Sequence, residues 1–181
     1  MDVMEFFKKS EGNWFSQQTS NHIALRKQES KKLELSITCY DRDHPKVLAV
    51  SELHKVDPAI VVGGAEVTWT GAMAFDEKTS QNLTFLVPVP DQEDPQSGLM
   101  LRNKGYAEEP IAGRYRMNAD ESMTLVTKHS TTESEERLWF ASPNLRLRTG
   151  GVKHLGGFSM TTFCSEIRRL PPEPVKAAQE A

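Results

Sequence analysis

The strongest constraint on this chain is a period of two. Apolar and polar residues alternate through residues 33–39, 65–75, 83–89, 113–117, 123–129, 136–140 and 145–149. Successive side chains of a strand point to opposite faces, so each of these segments reads as a strand with one buried face. Turn formers fall between them: residues 91–98 with their acids and Pro95, Ala119-Asp120-Glu121, and Ser142-Pro143-Asn144, where the proline presets a tight reversal. Consecutive strands are therefore expected to be antiparallel neighbours. About ten short strands, each with one apolar face to hide, must stack as a sandwich or close into a barrel.

Two segments break this pattern. Residues 2–9 place Val3, Phe6 and Phe7 on one face of a short helix that Gly12 would end. Residues 44–56 carry Pro45 at a first helical position, Val47, Leu48, Val50, Leu53 and Val56 at helical spacing, and Pro58 just beyond. Gly12-Asn13-Trp14 then sets a tryptophan at the head of the first strand, as in lipocalin-like barrels, where an aromatic plugs the closed end. The expected fold is all-β: a lipocalin or fatty-acid-binding-protein-like antiparallel barrel of about ten strands, with an N-terminal helix and a helical insertion. Residues 1–169 are expected to form this single domain, and residues 170–181, with three prolines and little that can pack, a disordered tail.

Composition narrows the function. A net charge of −3 and a pI near 6.0 lack the basic footprint of a nucleic-acid binder. Nothing approaches the ~20 consecutive apolar residues of a membrane span. The opening Met1-Asp2-Val3-Met4-Glu5-Phe6-Phe7 carries two acids and no basic, apolar leader, so a cytoplasmic protein is expected. Cys39 and Cys164 show neither CxxC spacing nor neighbouring histidine pairs, so no metal site and no disulfide framework is signalled, and both read as buried reduced thiols.

Four stretches together resemble the S-type chromophore lyases of phycobiliproteins, the CpcS/CpeS family: FFKKSEGNWFS at 6–16, DPA at 57–59, SEERLWFASPNLRLRT at 134–149 and GGFSM at 156–160. The third is the specific one, because a shared barrel pattern alone does not produce so long a run. Gly113-Arg114-Tyr115 and the set Trp69, Gly71 and Met73 add support. The resemblance runs from the first helix to about Arg168. It implies a ten-stranded lipocalin-like barrel with a helical insertion, and no prosthetic group. It further implies binding of phycocyanobilin or a related bilin as substrate, and thioether formation with a cysteine of an apo-phycobiliprotein α or β subunit. A homodimer is implied as well.

A bilin is a long apolar π-system with two propionates and four nitrogens, so its site needs aromatic walls, cations and a carboxylate. In an extended strand Arg146 and Arg148 share one face about 7 Å apart, opposite Leu145 and Leu147, and could take one propionate each. Alternation alone favours the reverse arrangement, with leucines in the core and arginines in solvent; the resemblance turns the arginines inward. The two leucines would then need an outer cover, a helix or a second subunit.

Glu136 shares a face with Leu138 and Phe140, and the Pro143 turn folds its strand back toward the arginines. A carboxylate beside the pyrrole N–H groups would stabilise a protonated tetrapyrrole and make its ethylidene group a better electrophile, which makes Glu136 the candidate catalytic acid or counter-ion. Its other reading is a surface carboxylate paired with a neighbouring cation. Glu135 points to the opposite face. Trp69 and Phe75 lie an even number of positions apart and could sandwich the chromophore, or simply pack in the core.

Within the resemblance, Phe75 stands where a second tryptophan is common, which keeps the aromatic face but loses the indole N–H, and Gln18 where arginine is frequent, which would remove a third propionate or carbonyl contact. His22, on the face of Ser16, Gln18 and Ser20, could donate to a bilin carbonyl or propionate, or be structural. His44, His54, His129 and His154 show no ligand spacing. Neither cysteine lies in these motifs, so the nucleophile is expected from the partner. A noncatalytic lipocalin-like carrier of a bilin or other apolar carboxylate remains the alternative, and a chaperone using the barrel exterior a third reading.

Overall fold

The computed structural model describes residues 1–73, 76–103, 110–155 and 157–170. Ten strands alternate direction along the chain: β1 (Gly12–His22), β2 (Lys27–Tyr40), β3 (Gly64–Met73), β4 (Asp76–Pro90), β5 (Ser97–Arg102), β6 (Gly113–Met117), β7 (Met123–His129), β8 (Thr132–Ser142), β9 (Leu145–His154) and β10 (Gly157–Arg168). Each pairs antiparallel with its sequence neighbours, and β1 pairs with β10 from Trp14↔Arg168 to His22↔Met160, which closes the barrel. The expected closed antiparallel barrel is thus the observed one.

Helix α1 (Val3–Ser10) forms the stopper at one end. Asp2 caps its first turn, accepting from the Glu5 N–H at 2.8 Å, while the Glu5 carboxylate accepts from the Asp2 N–H at 2.7 Å. The helix buries Val3, Phe6, Phe7 and Ser10. Gly12 turns the chain into β1 with φ of 117°, which residues with a Cβ rarely adopt.

Trp14 is fully buried beneath the helix, and its Nε1–H donates to the Ser10 carbonyl at 2.8 Å. Two guanidinium groups lie against its ring, Arg168 at 4.1 Å and Arg146 at 5.2 Å, with Phe140 at 6.2 Å. Arg168 in turn donates to the carbonyls of Lys9 and Glu11, fastening the C-terminal end of α1 to the last strand.

The helical insertion lies between β2 and β3. Helix α2 (Pro45–Leu53) starts with His44 as cap and Pro45 in the first turn, and rests on β4 and β5 through Val47 and Val50, which pack with Phe85, Val87, Val89 and Leu101. It is shorter than the expected 44–56, and Leu48 and Leu53 are exposed rather than buried.

Other boundaries also differ. β2 and β4 run beyond the alternating segments at their ends, and β5 begins at Ser97, inside the stretch 91–98 that reads as a turn. Gly98 explains the misreading: a Cβ there would lie 2.1 Å from the Val89 carbonyl, so this strand position excludes any side chain. Phe75 lies outside the described residues, as does the expected tail from residue 171 onward.

Candidate functional site

The barrel is hollow. Its inner chamber, about 300 Å³, is floored by Phe6, Phe7 and Ser10 of α1; an outer chamber of about 470 Å³ opens toward Val152, Met160 and Thr162. The two share Gln18, Trp69, Thr84, Arg102, Glu136 and Arg148, and so form one continuous space of the size that takes a cofactor-sized ligand.

Its walls differ in character. The side built by β2, β3 and β4 presents Leu33, Leu35, Val67, Trp69 and Leu86, whereas β8, β9 and β10 present Glu136, Arg146, Arg148 and Glu166. β9 and β4 stand opposite each other in the strand order, so a ligand in the lumen meets apolar surface on one flank and charge on the other.

The arginines of β9 point into the barrel, reversing what alternation alone favours. Arg146 is 5% exposed and Glu166 1%. The Arg146 Nε–H donates to Glu166 Oε2 at 2.6 Å, a buried pair at the floor of the cavity. Arg146 is therefore not the free propionate clamp that its spacing suggests. Arg148 lies one strand repeat higher, where its Nη1 donates to Glu136 Oε1 at 2.9 Å, its Nη2 donates to the Cys164 sulfur at 3.3 Å, and its Nε stands 3.7 Å from Glu166 Oε1. Burial works against the charge on Arg148, but Glu136, Cys164 and Glu166 together outweigh it and hold its pKa above the ordinary arginine value.

Glu136 faces the lumen and is not a surface carboxylate. Besides Arg148, it has Arg102 of β5 at 3.9 Å. β5 and β8 are separated by β6 and β7 in the sheet, so this second contact crosses the interior. Gln18 and Trp69 line the same space; the Gln18 amide donates to Ser20 Oγ at 3.1 Å and its Oε1 lies 3.8 Å from the Cys164 sulfur.

His22 is not brought to this set. It sits at the far end of β1, outside the lining of both chambers, with its Nε2 3.6 Å from Glu29. Cys164 is buried and Cys39 partly so. Burial raises the Cys164 thiol pKa, with Arg148 opposing it, and pushes the Cys39 thiol up to about 11.

Leu145 and Leu147, on the outer face, are half-buried. α1 and α2 pack elsewhere, so a helix is not their cover; Ile167 and Trp139 of the flanking strands extend them into an apolar strip.

Three members of this group were not assigned to it from the sequence: Arg102, Glu166 and Cys164, the last read only as a buried thiol. The inward stripe of β10, Thr162, Cys164 and Glu166, offers no apolar period, and Arg102 ends a strand that reads as a turn.

A family model described as CpeS-like protein matches residues 2–169. The chain belongs to the CpeS-like family. Among curated relatives it is 48% identical to "Chromophore lyase CpcS/CpeS 2" of Synechococcus sp. (strain JA-3-3Ab), over 100% of this chain and 98% of that one. It is 38% identical to "Phycocyanobilin lyase subunit CpcS" of Picosynechococcus sp. (strain ATCC 27264 / PCC 7002 / PR-6), over 99% and 92%. Among solved structures, the S-type phycobiliprotein lyase CPES of Guillardia theta superposes with a TM-score of 0.82 at 29% identity, covering 94% of each chain. The members of the CpeS-like family compared here are thus named lyases, and the charged stripe of β8 and β9 coincides with the long run, residues 134–149, that carries the resemblance.

Proposed function

We propose that the protein holds phycocyanobilin or a related bilin in this cavity and promotes its attachment to a cysteine of an apo-phycobiliprotein subunit, with Glu136 as the acid or counter-ion. The observation that carries the reading is the divided lumen: an apolar wall with Trp69 faces a wall where Glu136 is set between two guanidinium groups. The apolar flank suits the conjugated π-system and the arginines its propionates. Glu136 suits the pyrrole N–H groups and favours the cationic tetrapyrrole.

In the transfer, the partner's thiol sulfur bonds to the ethylidene carbon. The displaced π-electron pair takes up the proton given up by the thiol at the ring carbon that bore the ethylidene, so the addition balances without an oxidant or reductant. The barrel's part is to orient the bilin and tune its protonation. Arg148, Trp69 and Gln18 are proposed contacts. Arg146 contributes from the floor, and His22 could serve only a ligand that reaches the rim. Phe75 keeps its proposed stacking role on sequence grounds alone.

The reading includes a cytoplasmic homodimer without nucleic-acid or membrane partners. The outer strip of Leu145, Leu147, Trp139 and Ile167 supports self-association, and no described helix is long and apolar enough to cross a membrane.

The test mixes protein, phycocyanobilin and an apo-phycobiliprotein subunit and reads covalent product on a denaturing gel. Wild type should accelerate formation of correctly absorbing product. Glu136→Gln should still bind the bilin but lose transfer, and undiminished transfer removes Glu136 from the chemistry. Tight binding by wild type without acceleration would favour the carrier.

A further inference from the structure

The inner chamber is lined by three guanidinium groups, Arg102, Arg146 and Arg148, against two carboxylates, Glu136 and Glu166, one positive charge in excess; the outer chamber adds the carboxylate of Glu135, an exposed residue. The three cations are not equally engaged. Arg146 is tied to Glu166, and Arg148 donates to Glu136 and to Cys164. Arg148 keeps a buried Nε without an acceptor but makes two hydrogen bonds through its Nη atoms; Arg102 makes none, its closest carboxylate oxygen being 3.9 Å away, beyond hydrogen-bond reach, and its buried Nε being without an acceptor among the described residues. An orphaned buried donor is costly unless something else accepts from it.

The root of this side chain is fixed while its head is not. The Arg102 backbone pairs with Leu86 of β4, and its carbonyl lies 2.8 Å from Nε2 of His54, at the end of α2. The guanidinium then reaches across β6 and β7 toward Glu136 and lines both chambers. Gln18, which also lines both, contributes a neutral amide already directed at Ser20. Arg102 is thus the arginine of this set whose guanidinium makes no hydrogen bond among the described residues, and it stands at the waist of the cavity.

We infer that Arg102 binds a carboxylate of the ligand, so that the ligand's acidic group docks from the β5 side, across the lumen from Arg148, and not on the Arg146–Glu166 pair at the floor. The inference rests on the bilin reading above. Arg102 thereby fixes which way round the tetrapyrrole enters: with a propionate at the waist, the ring system lies along the apolar wall of β2 to β4, and Glu136 is left beside its nitrogens.

The experiment compares phycocyanobilin with its dimethyl ester, which keeps the π-system and removes both carboxylates. Binding is read by the change in bilin absorption on titration with wild type, Arg102→Gln, Arg102→Lys and, as a control, Arg116→Gln, whose side chain pairs with Asp94 on the outer surface.

Arg102→Gln should weaken the free acid about 10- to 100-fold, the range of a hydrogen-bonded charge contact. It should leave ester binding within about twofold of wild type; Arg102→Lys should fall between, and Arg116→Gln should match wild type. An equal loss of both ligands in Arg102→Gln, or no loss of either, overturns the inference while leaving the bilin reading intact. If wild type binds neither ligand, the bilin reading falls and takes the inference with it.

Discussion

Removing the charge of Glu166 should be the most damaging single-atom-scale change in the barrel. Its side chain is 1% exposed and that of Arg146 6%, with 2.6 Å between Nε and Oε2. Breaking a buried ion pair leaves an uncompensated charge in low dielectric and costs about 3–5 kcal/mol. Glu166→Gln keeps the shape and one acceptor but strands Arg146, whose remaining close neighbour is the Trp14 ring at 5.2 Å. For a domain of this size each kcal/mol moves Tm by about 2–4 °C, so the expected fall is about 6–20 °C.

The reciprocal change, Arg146→Met, should cost less, because the stranded carboxylate still has Arg148 Nε 3.7 Å from its other oxygen. Both changes together, Glu166→Leu with Arg146→Met, should recover most of the loss, since an apolar pair of similar volume is often neutral or better. Urea and thermal unfolding of the four proteins, followed by circular dichroism, measure these changes, and Glu166→Leu alone completes the cycle. If Glu166→Gln lowers stability by less than about 1 kcal/mol, the pair is solvated and the reasoning is wrong.

Three further outcomes follow from the geometry. Trp14→Ala empties a fully buried site and removes the ring that Arg146 and Arg168 lie against, so unfolding should become easier by about 3–5 kcal/mol; a change under 1 kcal/mol would mean that α1 closes the barrel without it. At Gly150 a Cβ would meet its neighbours at 3.7–3.9 Å, ordinary contact, in the lining of the outer chamber. Gly150→Leu should therefore leave Tm within a few degrees but abolish bilin binding, and a leucine variant that still titrates normally would show that the ligand avoids this side.

At alkaline pH, the Cys39 thiol is raised from 9.0 to about 11 and the Tyr115 hydroxyl from 10.0 to about 12, each mainly by burial. A group whose folded pKa is raised contributes stability below its unfolded pKa and loses it as pH rises through the folded one, so unfolding free energy should decline between about pH 9 and 12. A flat profile there, measured by urea midpoint, would contradict both assignments.

Legibility in the sequence followed the polarity of the lumen. β6 and β7 read correctly to the residue because their inward positions, such as Tyr115, Met117, Met123 and Leu125, are apolar and turn residues bound them. β9 and β10 invert that logic. Their inward stripes carry Arg146, Arg148, Cys164 and Glu166, while Phe163 and Ile167 face outward at 47% and 52% exposure.

Periodicity identifies β9 but assigns its faces backwards and leaves β10 unread, and only the long run at 134–149 turned Arg146 and Arg148 the right way. The same run put Glu136 on the correct face. Pairing across the sheet stayed hidden: Glu166 answers Arg146 from twenty positions on, and Arg102 reaches Glu136 across the lumen, relations that no spacing along one strand encodes. β2 outran its expected start because its early residues are polar on both faces, where the strand extends past the core.

The buried sulfur of Cys164 bears on how such a protein survives its own cargo. An ethylidene-bearing bilin is an electrophile toward thiols, and the cage proposed to hold it contains one. Burial that raises the pKa keeps that sulfur protonated, and its flanks are taken by the Arg148 guanidinium at 3.3 Å and by Gln18. Burial is thus the mask over an internal competitor for the electrophile, while the Arg148 guanidinium pulls the thiol the other way, toward thiolate. Loosening that mask would turn a reusable escort into a single-use trap.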